Sequence, residues 1–185
     1  MFFSSEKVQL KIYYFFMLAD GECTEDEMKK FSAICDAMGV DEDVKREVVS
    51  FCDDAIHISS TDNSASVIRE TVKLLNDNPR LSSDKCKQVE IIWTLINLGY
   101  ADNEYTEAEK KVVSFLSDYW EVSESTFADL NDTAETILML TYQKAWLKHT
   151  GMPYDDVSAN IAEIDKAIAR MGKNIELLIS EANIA

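Results

Sequence analysis

The sequence predicts an all-α fold: a helical bundle built from two helical repeats, followed by one more helix. Three observations predict it. An acidic phrase occurs twice, as Ala19-Asp20-Gly21-Glu22-Cys23-Thr24-Glu25-Asp26-Glu27 and as Ala101-Asp102-Asn103-Glu104-Tyr105-Thr106-Glu107-Ala108-Glu109, at an offset of 82 residues. Each copy follows a strongly apolar stretch and precedes an amphipathic one, which makes a helix-loop-helix unit used twice. Strand-like alternation of useful length does not occur, and 5 Gly and 2 Pro are few for a turn-rich β fold.

Residues 5–19 read as a helix apolar nearly all round (Val8, Leu10, Ile12, Phe15, Phe16, Met17, Leu18), the pattern of a helix buried at the centre of a domain. Thr24 to Met38 follows as an amphipathic helix with Met28, Phe31, Ile34, Cys35 and Met38 on one stripe, and Gly39 stands where a left-handed residue ends it. Asp41 starts a third helix with Val44, Val48, Phe51 and Cys52 inward. Ser59 to Ser66 reads as a polar connection, with His57 as a helix-end residue before it. Val67 to Leu75 reads as a short helix stopped by Asn78-Pro79.

The pattern then restarts. Residues 84–99 are apolar again, and Thr106 to Trp120 is amphipathic through Val112, Val113, Phe115, Leu116 and Tyr119. The two apolar helices are expected to pair centrally, since neither can bury its circumference elsewhere. Ser123 to Leu147 is one helix or two, with His149 at its C-terminus, before Gly151 and Pro153. The first domain is placed at residues 1–150, and residues 151–185 carry an appended helix. There, Val157, Ile161, Ile164, Ile168, Met171, Ile175 and Leu178 recur with 4-3 spacing. This seam either docks on the chain's own bundle or forms a homodimer through residues 157–178.

The net charge of -16 argues against nucleic acid, anionic membrane and direct binding of an oxyanion, and suits hard cations or a basic protein partner. Met1 to Glu6 has no basic leader region, and the apolar run Ile12–Ala19 is too short to span a bilayer, so direct membrane insertion is not expected and a cytoplasmic location is. Cys23, Cys35, Cys52 and Cys86 form no CxxC pair and read as reduced thiols in apolar roles, Cys23 being the exception to watch. With two His and no Ser elbow or phosphate loop, the chain does not read as an enzyme.

Part of the acidic phrase is helix-starting chemistry. Thr24 with Glu27, and Thr106 with Glu109, are capping boxes, and Glu25, Asp26 and Glu107 suit the first helical turn. Gly21 and Asn103 suit a left-handed turn. Asp20 and Asp102 fall at helix C-termini, where the dipole disfavours an anion, and Glu22 and Glu104 have no capping duty. A compensating cation is wanted, and neither loop contains a base. The spacing is not that of an EF-hand.

The phrase Ala-Asp-Gly-Glu-x-Thr-Glu-x-Glu after an apolar helix, present twice, resembles the tellurite-resistance TerB family, whose superfamily includes the N-terminal domain of membrane-anchored DnaJ-like co-chaperones. The resemblance covers roughly residues 5–140. It implies two repeats about a pseudo-two-fold, a role in stress response and toxic-oxyanion resistance, and metal binding by Asp20, Glu22, Glu27, Asp102, Glu104 and Glu109. Calcium or magnesium suits such oxygen ligands. The departures are Asn103 for Gly, and the lack of both the His-Pro-Asp signature and a membrane anchor.

Overall fold

The computed structural model describes residues 4–56, 62–151 and 153–183. His57 and the segment Ser59–Thr61 of the expected connection lie outside the described residues. Among those described, every regular element is helical: α1 Ser4–Met17, α2 Glu25–Ala37, α3 Glu42–Ala55, α4 Ser64–Asn76, a short 3-10 turn Leu81–Ser83, α5 Lys85–Gly99, α6 Glu107–Tyr119, α7 Glu124–Lys148 and α8 Tyr154–Glu181. Two compact units result, Met1–Val122 and Ser123–Ala185.

In the first unit α1 is the hub, packed against α2, α3, α4, α5 and α6. Its all-round apolarity is the cause. Leu10, Ile12, Tyr13, Phe15, Phe16, Met17, Leu18 and Ala19 are each almost wholly buried. α5 is the second buried helix, through Ile91, Ile92, Leu95, Ile96 and Leu98, and it packs on α1, α2 and α6. Amphipathic α2 and α6 lay Phe31 and Cys35, and Val112, Val113 and Leu116, onto this pair. Helix α4 begins at Ser64, three residues earlier than the apolar pattern suggests; its N-cap Asn63 makes no side-chain cap bond, and Asp62 Oδ1, one residue before it, accepts the Ser64 N–H at 3.0 Å. Asp62 is also paired with Lys111 of α6 at 2.7 Å, and the Asn63 N–H donates to Ala19 O at 2.7 Å. The chain entering α4 is thereby tied to the end of α1, beside the first acidic loop.

Phe51 departs from its expected inward place. It is 42 % exposed, tilted against Phe15, with Lys11 Nζ 3.3 Å from its ring centre. Its ring serves as a partly wet cation-π partner.

Local geometry repeats at the 82-residue offset where the amphipathic helices end. Val40 N–H donates to Cys35 O at 2.9 Å, and Val122 N–H donates to Ser117 O at 2.9 Å. Gly39 and Glu121, 82 apart, both have left-handed φ, +69° and +54°. Asp41 caps α3 and Ser123 caps α7 through side-chain oxygens.

In the second unit α7 is one uninterrupted helix, ending at His149, and it packs against α8. Lys144 of α7 pairs with Asp165 of α8. The α8 seam is docked within its own chain: Ile164 and Ile175 are buried, while Val157, Ile161, Ile168, Met171 and Leu178 are half-buried.

Candidate functional site

Each acidic loop leaves a central helix and enters an amphipathic one, and the same bonds shape both. Asp20 Oδ1 accepts the Glu22 N–H at 3.0 Å, and Asp102 Oδ1 accepts the Glu104 N–H at 3.1 Å. Between them Gly21 (φ +92°) and Asn103 (φ +73°) turn the chain in the left-handed region that these two residue types tolerate best. The Asx turn supplies what the sequence reading lacked: a local task for two aspartates placed against the helix dipole.

The capping boxes form as expected. Thr24 Oγ1 accepts the Glu27 N–H at 3.2 Å, and Glu27 Oε2 accepts the Thr24 N–H at 2.8 Å and its hydroxyl at 3.0 Å. Thr106 and Glu109 repeat this at 3.3, 2.7 and 2.9 Å. What the pattern does not reveal is depth. Glu27 is 4 % exposed and Glu109 3 %. Burial therefore lifts Glu27 to about 7, against the pull of the Thr24 hydrogen bonds, and Asp102 and Asp20 push it further up. Burial lifts Glu109 to about 8, opposed by Thr106 and reinforced by Glu27 and Asp20. Each buried acid feels an acid of the other copy, so the two loops share one electrostatic neighbourhood.

Around this pair the outer acids divide into two groups. Asp26 is paired with Lys29 at 2.8 Å and Glu107 with Lys110 at 2.7 Å. Among the described residues, Asp20, Glu22, Glu27, Asp102, Glu104 and Glu109 make no ion pair with Lys, Arg or His. Glu22 and Glu104 are exposed, while Asp20 and Asp102 are half-buried. The donors are carboxylate oxygens, suited in kind to a hard cation. Among the described residues, however, no three His, Cys, Asp or Glu side chains are gathered closely enough to hold a metal ion.

One neighbour escaped the sequence reading. A Cβ on Gly99 would sit 2.4 Å from the Tyr105 ring, so the glycine ending α5 admits this aromatic against the helix. Tyr100 packs on the same ring at 5.1 Å, and Lys110 Nζ stands 5.7 Å from its centre. The equivalent positions in the first copy are the fully buried Met17 and the exposed Cys23. The signal was available: a lone Gly at the end of an apolar helix, six residues before an aromatic, where the other copy has a large residue and a small one. Cys35 and Cys52 are buried as small apolar residues, while Cys23 is not.

Among the described residues no helix is long and apolar enough to cross a membrane. No curated protein and no solved structure matches the chain. The family model described as "Tellurite resistance protein TerB" matches residues 14–132, a span holding both acidic loops and both buried glutamates. With most of its length matched in this way, the chain belongs to the TerB family.

Proposed function

We propose that this protein is a non-enzymatic stress-response module, acting in the cytoplasm, whose two acidic loops together bind a divalent cation. The observation that carries this reading is the coupling of Glu27 and Glu109, two buried carboxyls held beside Asp20 and Asp102 with no Lys or Arg partner. Anions kept together without a base are relieved by a cation, and an oxygen-only donor set favours calcium or magnesium over zinc. Glu22 and Glu104, at the rim, would complete the shell. Direct capture of an oxyanion such as tellurite is opposed by the net charge of -16.

The test is thermal unfolding near pH 8 with calcium, magnesium, manganese and zinc in turn. Binding to the folded state raises the melting temperature by mass action, and the Asp20→Asn, Asp102→Asn double variant should lose that rise while folding normally. A wild-type melting curve indifferent to millimolar divalent ions defeats the cation reading. The second reading then takes its place: the acidic face recruits a basic protein partner. It is favoured by the exposed positions of Glu22, Glu25, Glu104 and Glu107 and by the lack of a tight three-ligand cluster among the described residues.

A further inference from the structure

Helix α7 carries a second apolar stripe that α8 does not cover. The face toward α8 includes Leu147 and Lys144, the latter tied to Asp165. On the opposite side Met139, Tyr142 and Trp146 are 57, 44 and 64 % exposed. Glu135 and His149, both exposed, extend the stripe one step at each end. The spacing of Glu135, Met139, Tyr142, Trp146 and His149 is 4-3-4-3, a continuous helical seam. Solvent-facing Met, Tyr and Trp on one such line form an anchor set of the type that dominates protein interfaces.

The stripe is self-complementary. Take Tyr142 as the point about which two antiparallel copies of α7 are related. Glu135 lies as far on one side of it as His149 lies on the other, and Met139 nearly as far as Trp146. Pairing two copies then brings the Glu135 carboxylate of one beside His149 of the other, twice. It also lays the Trp146 indole near the other copy's Met139 thioether, a favourable sulfur-aromatic pairing. Glu135 and His149 make no ion pair within the chain among the described residues. Charge selects the same face. Residues 136–154 contain no Asp or Glu in a chain of net charge -16. Two such anions repel wherever acidic surface meets acidic surface, and least where this segment meets itself.

From this we propose that the protein is a two-fold homodimer formed by antiparallel pairing of α7 with α7 through Met139, Tyr142 and Trp146, with Glu135 of each copy facing His149 of the other at its ends. The interface is isologous, one patch used twice. It differs from a coiled coil through residues 157–178, a seam already docked on α7.

Sedimentation velocity on the full chain, from low to high micromolar concentration, tests it. The wild type should shift from monomer to dimer across that range. Trp146→Glu should weaken the association at least about tenfold, as loss of a central Trp anchor does, with an unchanged circular dichroism spectrum. Glu135→Lys and His149→Glu should each weaken the dimer, and the two together should restore it, because the double swap sets a Lys–Glu pair at each end. A wild type that stays monomeric at high micromolar concentration overturns the proposal, as does a Trp146→Glu variant that dimerises like the wild type. A monomer that instead pellets with phosphatidylcholine vesicles through Trp146 overturns it too, with a lipid surface as the occupant.

Discussion

Glu27 and Glu109 stand at the same position of two copies of one capping box, both buried, and Glu27 is among the charges that raise Glu109. Two such coupled groups titrate as a pair, with apparent values of about 7 and about 8. The folded protein therefore holds protons that the unfolded chain, with ordinary glutamates near 4.5, has released. Stability must fall as pH rises from about 4.5 to about 8, and level off above. Replacing both by Gln, which can keep the capping-box bonds, should flatten this slope and raise the melting temperature near pH 8.5. Unfolding curves across pH 5 to 9 provide the check; a slope equal in wild type and variant would remove the buried pair as its source.

The same linkage sets the pH profile of the proposed cation. A metal must displace the protons held by Glu27 and Glu109, so the calcium- or magnesium-induced rise in melting temperature should be larger at pH 8.5 than at pH 6. A rise that is equal at both would place any ion on the outer acids alone.

At Asp20 and Asp102 the oxygen that shapes the loop is distinct from the charge. Asn keeps the Oδ1 acceptor for the Glu22 or Glu104 N–H, and Ala does not. Each Ala variant should cost about 1 kcal/mol in denaturant unfolding, and each Asn variant much less. Equal losses would mean that charge, not the Asx turn, holds the loop.

Gly39 and Glu121 end equivalent helices with left-handed backbones, but only Gly39 does so without a steric penalty. Nothing lies within 4 Å of a Cβ built on Gly39, so the difference is conformational alone. Glu121→Gly should stabilise the protein by about 1 kcal/mol, and Gly39→Ala should cost a similar amount.

Most of the fold was legible because the code for it is local. The all-round apolarity of α1 and α5, the Thr-x-x-Glu boxes, and Gly39 after α2 each act within a few residues. What stayed hidden depends on distance in space. Whether Glu27 and Glu109 are caps on a wet surface or buried acids is decided by how α1 and α5 pack beneath them, and no spacing rule encodes that. The half-burial of the α8 seam was undecidable for the same reason: strict 4-3 spacing says that a helix face is covered, not whose helix covers it. Asp20 and Asp102 were the instructive miss. The dipole argument weighed their charge, while an oxygen two residues ahead of an amide had already given them a task.

Bulk at the loop of the second copy sits on Tyr105 with Gly99 making room. In the first copy the helix carries the large residue, Met17, and the loop the small one, Cys23. The halves of this duplication are no longer spare parts for each other. Transplanting the second loop alone would set a Tyr beside Met17, and transplanting the first would leave Gly99 facing a Cys across an unfilled gap. Only exchanges that move helix end and loop together keep the volume constant. Divergence at these two sites is therefore constrained to proceed in linked steps, and a repeat unit rebuilt from either copy must inherit both members of its own pair.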